Sequence, residues 1–297
     1  MSYSTVKQFT PSPAAHCQQF LHETPGGFKY YIALPKTVDE RTRILVSVHG
    51  ISRNASEHLE AFARNIDTDN CAILCPLFSA ENFPGYQRLG IARKRHSARP
   101  DLALHSMLEH ATQRYGVSSQ RFDLFGFSGG AQFAHRYALL HPHRLRRLAL
   151  AAAGYYTFPD HQQEFPRGLQ QKRVRQPVRW QLEASLCIPM ALFVGTLDNE
   201  RDESLRQGPL IDAQQGVHRT ERAERWVAAT RQAISKRGLT TPVTLTMLAD
   251  CGHDFTQCIA EGKLDQELRS FLNRPLSAAV SAPIPQAHPR EMLQFMR

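Results

Sequence analysis

Ser128 is the residue of this sequence best placed to do chemistry, because of what surrounds it. It lies in Gly126-Phe127-Ser128-Gly129-Gly130, a Gly-x-Ser-x-Gly pattern where a strand-like run meets a helix-like run. A serine presented on so sharp a turn needs almost no side chain two positions before and after it, and Gly126 and Gly130 supply that room. A serine hydroxyl is a weak nucleophile near neutral pH, so it also needs a base and an acid to orient the base. His253, in Asp250-Cys251-Gly252-His253-Asp254-Phe255, and Asp198, in Gly195-Thr196-Leu197-Asp198, can fill those roles. The chain order serine, aspartate, histidine fits a serine on a strand-to-helix turn.

The elements that must position these residues follow from hydrophobic periodicity. Strands are expected over 28–34, 43–49, 72–76, 121–125, 145–152, 188–195 and 243–248. Helices are expected over 57–66, 101–115 with Asp101 as N-cap, 131–140, 221–237 and 256–272. This alternation predicts an α/β fold, a mainly parallel central sheet of about eight strands with helices on both faces. In such sheets chemistry gathers beyond the carboxyl ends of the strands, and Ser128, Asp198 and His253 each follow one. Residues 79–100 read as a loop. Residues 155–186 lack clear periodicity and form a candidate cap or lid. The expected organisation is an N-terminal extension (1–27), one catalytic domain (28–273) and a Pro- and Ala-rich C-terminal arm (274–297).

Composition narrows the partners. The formal charge is +9, but the basic residues are spread thinly, do not interleave with aromatics and carry no nucleic-acid motif. A solvated basic surface is expected rather than a nucleic-acid partner, with attraction of anionic substrates as the second reading. No apolar run approaches the roughly 20 residues that cross a bilayer, and the first 25 residues lack the apolar centre of a secretory signal. A cytoplasmic protein without a membrane partner is the expectation. Six cysteines form no CxxC pair, so reduced thiols are expected, with a Cys251–Cys258 disulfide left open. His105, Glu109 and His110 share a helix but form no metal-binding motif and read as a polar face. No metal and no cofactor are expected, since phosphate-cradling and dinucleotide fingerprints are missing from the sequence.

The sequence resembles the α/β-hydrolase superfamily. Four features carry the resemblance: the Gly-x-Ser-x-Gly turn at Ser128, His49-Gly50 after an early strand, Gly195 to Asp198 after a late one, and Gly252-His253-Asp254 after the last. It spans residues 28–273. Within the superfamily the chain is similar to the small-esterase branches with polyhydroxyalkanoate-depolymerase-like, feruloyl-esterase-like and dienelactone-hydrolase relatives. It departs from dienelactone hydrolases in carrying serine for cysteine, and from secreted depolymerases in showing neither their signal nor their disulfide pattern.

The resemblance implies a serine hydrolase of carboxylic esters, small or oligomeric, with the backbone N–H groups of Ile51 and Gly129 as oxyanion hole. Asp198 is the expected acid, while Asp160, after the preceding strand, and Asp202 stay open as rivals. His49 reads as structural or as a hydrogen-bond donor beside the hole, rather than as a second base. Tyr155 and Tyr156 are candidate substrate-binding residues, with core packing as the alternative. Phe83, Tyr86 and the stretch from Arg93 to His96 are candidates for a wall or rim. Peptidase, amidase and thioesterase chemistry would use the same three residues, and a binding protein on a hydrolase scaffold is the non-catalytic alternative.

Overall fold

Arg43–Val48, Phe122–Phe127, Leu145–Ala151 and Met190–Gly195 are almost wholly apolar and buried, the pattern of parallel strands covered on both faces. A computed structural model describes residues 7–8, 18–64, 69–91, 98–174 and 176–276. The strands are β1 (Lys7–Gln8), β2 (Gln18–Glu23), β3 (Lys29–Leu34), β4 (Arg43–Val48), β5 (Cys71–Pro76), β6 (Phe122–Phe127), β7 (Leu145–Ala151), β8 (Met190–Gly195) and β9 (Val243–Leu248). They form one sheet of nine strands in the order β1-β2-β3-β5-β4-β6-β7-β8-β9. From β5 to β9 all neighbours are parallel, while β1, β2 and β3 add an antiparallel edge.

The sheet thus begins earlier than the sequence reading placed it. Gln18–Glu23 pairs along its whole length with Lys29–Leu34, so part of segment 1–27 belongs to the sheet rather than to an extension. Residues 1–6 and 9–17, most of the arm at 274–297, and Arg93 to His96 lie outside the described residues.

The helices are α1 (Ala55–Ala63), α2 (Pro100–Tyr115), α3 (Gly129–Leu140), α4 (Leu182–Ser185), α5 (Pro209–Gln215), α6 (Arg219–Ser235), α7 (Phe255–Ala260) and α8 (Leu264–Asn273). Alternation along each strand sends its side chains into two cores. Ile44, Val46 and Val48 of β4 join the cluster under α2, α3 and α6, whereas Leu45 joins the cluster under α1 and α8. The segment 155–186 packs on the first face. Gln181 donates its backbone N–H to Leu139 O at 2.7 Å and its side-chain amide to Leu140 O at 2.8 Å, and Leu169, Leu182 and Leu186 are buried there.

Three local expectations are corrected, and the question left open at Cys251 and Cys258 is decided for reduced thiols. Arg99, not Asp101, is the N-cap of α2; Asp101 is instead buried and accepts hydrogen bonds from Arg99 at 2.8 and 2.6 Å and from His141 at 2.9 Å. The single helix expected over 256–272 is broken into α7 and α8. A Cβ on Gly262 would lie 2.7 Å from Cys251 Sγ, so the chain passes the cysteine too closely for a continuous helix of larger residues. Cys251 and Cys258 are free and buried, not bridged. His105 and His110 are no solvated polar face: His105 Nε2 bonds Tyr137 OH at 2.8 Å and His110 Nδ1 bonds Tyr30 OH at 2.9 Å. Among the described residues no helix is long and apolar enough to cross a membrane.

Candidate active site

Sheet register brings the site together. Val48 is level with Gly126, Gly126 with Leu150, and Leu150 with Leu192, so β4, β6, β7 and β8 end side by side. The chain turns off β6 at Ser128, which has φ +51° and ψ −111°, outside the regions an L-residue ordinarily occupies. Its backbone N–H is tied to Ala151 O at 2.8 Å. The glycines on either side are required sterically. A Cβ on Gly126 would sit 2.3 Å from Gly130 C and O, and one on Gly130 would sit 2.0 Å from Val48 O. The strained turn is held because backbone packs on backbone.

His253 and Asp198 arrive from the ends of β9 and β8, and those two loops are stitched to each other. Thr196 N–H donates to Leu248 O and Leu197 N–H to Cys251 O, each at 2.9 Å, while Asp250 N–H donates to Thr196 Oγ1 at 2.9 Å. Gly195 allows the approach, since a Cβ there would stand 2.0 Å from Cys251 O. Beneath, His253 stacks on Phe127 at 5.5 Å, and Phe255 lies flat on His58 at 3.9 Å.

The result is an unbroken hydrogen-bond chain. Ser128 Oγ is 2.9 Å from His253 Nε2, and His253 Nδ1 is 2.8 Å from Asp198 Oδ2. With a carboxylate accepting at Nδ1, the ring carries its proton there and offers the Nε2 lone pair to the serine hydroxyl. Of the three candidate acids only Asp198 meets the histidine. Asp160 turns its carboxylate back to Gln162 N–H at 2.7 Å, within its own loop. Asp202 instead pairs with Arg219, whose hydrogen bond, against a lesser burial penalty, holds the carboxyl well below the usual range.

Arg219 is the member of the site that pattern reading missed. It is almost fully buried at the start of α6, and its Nη1 reaches Asp198 Oδ1 at 3.1 Å. Asp198 itself is buried, and Thr220 Oγ1 donates to its backbone carbonyl at 3.1 Å. No motif distinguishes Arg219 among the 36 lysines and arginines of the chain; its contact with Asp198 does.

Across from the serine, Ile51 and Gly129 are neighbours: a Cβ on Gly129 would lie 3.1 Å from Ile51 Cγ2 and 2.7 Å from Tyr86 OH. Gly129 opens α3, where backbone N–H groups have no partner within the helix. The loop carrying Ile51 is braced from behind. Phe78 N–H donates to His49 Nε2 at 3.1 Å, so His49 Nδ1–H donates to Gly50 O at 2.7 Å, and Tyr86 OH donates to His49 O at 2.8 Å. Burial pushes the His49 pKa down to about 4, leaving the ring neutral. His49 is structural, as its sequence position suggested, and Tyr86 and Phe83 are buried core residues.

Tyr156 is corrected. It is buried, stacks on Trp226 at 5.2 Å, and its backbone is pinned by Gln215 at both N–H and C=O, each at 2.9 Å, so it supports the core rather than a ligand. Tyr155 turns the other way, toward arginines: Arg136 stands 5.7 Å and Arg206 5.9 Å from its ring centre.

No family model matches the chain, and no curated protein matches it. Solved structures do. The chain is similar to poly(aspartic acid) hydrolase-1 from Sphingomonas sp. KT-1, with 25% identity, 85% of this chain and 99% of that chain covered, and a TM-score of 0.69. It is similar to the poly(3-hydroxybutyrate) depolymerase LpqC from Bordetella parapertussis, at 24% identity, 90% and 93% coverage and a TM-score of 0.71. An S-formylglutathione hydrolase from Agrobacterium tumefaciens shares the fold at 14% identity, with 92% and 99% coverage and a TM-score of 0.59.

Proposed function

We propose that the chain, which has the α/β-hydrolase fold, is a serine hydrolase of carboxylic esters. The observation that carries this reading is the continuous chain Asp198–His253–Ser128, with links of 2.8 and 2.9 Å. A binding protein on the same scaffold would have no use for a strained serine within reach of an oriented imidazole.

The reaction follows from the geometry. His253 Nε2 takes the proton of Ser128 Oγ as the oxygen attacks the ester carbonyl, and Asp198 stabilises the imidazolium that forms. The carbonyl oxygen becomes an oxyanion held by the N–H groups of Ile51 and Gly129, a contribution of about 3 kcal/mol per donor in such sites. His253 then protonates the leaving alkoxide, and the alcohol departs. Water enters, gives its proton to His253 and attacks the acyl-serine; the acid leaves and Ser128 regains its proton. Tyr86 and His49 act by holding the Ile51 loop in place.

Fluorophosphonate labelling with aryl-ester turnover tests the reading. The protein should be labelled and active, and Ser128→Ala should abolish both; labelling that survives Ser128→Ala overturns it. Thioester and peptide substrates, run in parallel, separate ester hydrolysis from the other acyl transfers that the same three residues can perform.

A further inference from the structure

Buried arginines in this protein normally have a carboxylate. Arg219 pairs with Asp198 and Asp202, Arg222 with Asp212, and Arg147 with Asp123. Around Tyr155 the rule fails. Arg136 and Arg206 stand 5.7 and 5.9 Å from the Tyr155 ring centre, and these two, with Arg167 and Arg88, oppose the rise in the phenol's pKa that burial causes. Among the described residues, none of the four pairs with a carboxylate. Three acids of the neighbouring loops are engaged elsewhere: Glu164 with Arg173, Asp202 with Arg219, Asp212 with Arg201 and Arg222.

Arg136 is fully buried and holds only neutral acceptors: Thr157 Oγ1 at 2.9 Å, Gln87 O at 2.6 Å, Gln132 O at 3.3 Å, Gln132 Oε1 at 3.4 Å and Tyr155 O at 3.4 Å. Burial, unrelieved by any carboxylate, draws its pKa down to about 9. Arg88 is half-buried, and burial and then the positive charge of Arg206 press its pKa down. Arg206 itself is exposed over the tyrosine ring. Gathering like charges without a counter-charge is unfavourable, and an anion among them would relieve it.

The cluster adjoins the nucleophile. Arg136 lies on α3 and reaches back to Gln132, one helical turn, or roughly 6 Å along the axis, beyond Ser128. Gln87, whose carbonyl accepts from Arg136, has its Cγ 3.4 Å from where a Gly129 Cβ would stand. A group held by these arginines would belong to a substrate whose carbonyl is already at Ser128.

Building on the serine-hydrolase reading, we propose that Arg88 and Arg206, set about Tyr155 with Arg136 behind them, form a subsite for a carboxylate on the substrate. The preferred substrate is then an acidic ester, or an oligomer with repeated carboxylates, whose charge sits several bonds from the scissile carbonyl. Planar guanidinium forks suit a carboxylate, and the half-buried setting protects the interaction from screening better than an open surface would.

The test compares esters that differ in charge. Mono-p-nitrophenyl adipate and p-nitrophenyl hexanoate exchange a carboxylate for a methyl at the far end of the acyl chain, and p-carboxyphenyl hexanoate, set against its neutral methyl-ester counterpart p-(methoxycarbonyl)phenyl hexanoate, moves the charge to the leaving side. The native protein should favour one of the two anionic esters over its neutral counterpart by about tenfold in kcat/KM at low salt, and the preference should shrink as salt is added. Arg206→Gln and Arg88→Gln should each lower that ratio by about tenfold, with Arg206→Lys keeping part of it. Because the readout is a ratio of two substrates on one sample, loss of folded protein cancels. A ratio at or below one for both anionic esters, or one that neither substitution moves, overturns the subsite while leaving the hydrolase reading standing. If no ester turns over and no fluorophosphonate labels Ser128, the hydrolase reading falls first, and the subsite with it.

Discussion

Arg219 Nη1 and Asp198 Oδ1 lie 3.1 Å apart, on the carboxylate oxygen that His253 does not use. The acid of the site is thus shared between the base it orients and a buried cation that fixes its plane. Arg219 is itself fixed, with Nη2 3.1 Å from Asp202 Oδ1 and 2.6 Å from Ser204 Oγ. Removing the guanidinium frees the plane of the Asp198 carboxylate that orients His253, so Arg219→Gln should lower kcat. Breaking the buried pair should also cost about 3 kcal/mol of stability, read by chemical denaturation. An unchanged kcat in the folded variant would mean that Arg219 only braces the fold.

Replacing the candidate acids one at a time separates them. Asp198→Asn should lower kcat by about ten-thousand-fold while the protein stays folded, because the histidine loses the partner that sets its tautomer. Asp160→Asn, which changes only a turn within its own loop, should alter kcat by less than about twofold. Steady-state kinetics on one aryl ester decides both.

The serine turn should tolerate no methyl group. Gly130→Ala would place a carbon 2.0 Å from Val48 O, a contact between main-chain segments that no side-chain rotation relieves. A loss of about 3 kcal/mol or more is expected, seen as a lower melting temperature or failure to accumulate folded protein. Gly85→Ala, where a Cβ meets nothing within 4 Å, serves as the control.

Stability should fall on the acid side through His49. Its folded pKa, lowered by burial to about 4, lies below the ordinary 6.5. Between those values the unfolded chain binds the proton and the folded protein does not, so stability declines as pH falls from 6.5 and levels off below 4. By pH 5 this one ring accounts for about 2 kcal/mol. Denaturation at pH 7 and pH 5 should show a smaller difference in His49→Gln than in the native protein. An equal difference would assign the acid sensitivity to other buried groups.

Much of the fold is local physics and was legible in the chain. Val243–Leu248 matches its expected bounds residue for residue, and β4 and β8 fall within one or two residues of theirs, because apolar runs ended by glycine or proline record burial directly. Helix α7 and strand β2 were harder. The break at Gly262 depends on Cys251, eleven positions away and on another loop, and β2 contains polar residues whose partner strand alone makes them a strand.

The candidate site divides in the same way. Ser128, its glycines, and the histidine and aspartate after the last two strands could be named from the chain because a strained turn and a strand end leave local marks in residue type. Tertiary structure alone brought Asp198, rather than Asp160 or Asp202, to His253, since that contact depends on loops from β8 and β9 being bonded to each other. It alone sent Tyr156 to the core and Tyr155 toward the arginines, because adjacent residues in an irregular segment carry no periodicity from which their direction follows. Which cations find an acid and which are left without one is likewise a matter of distance between loops, and spacing along the chain does not encode it.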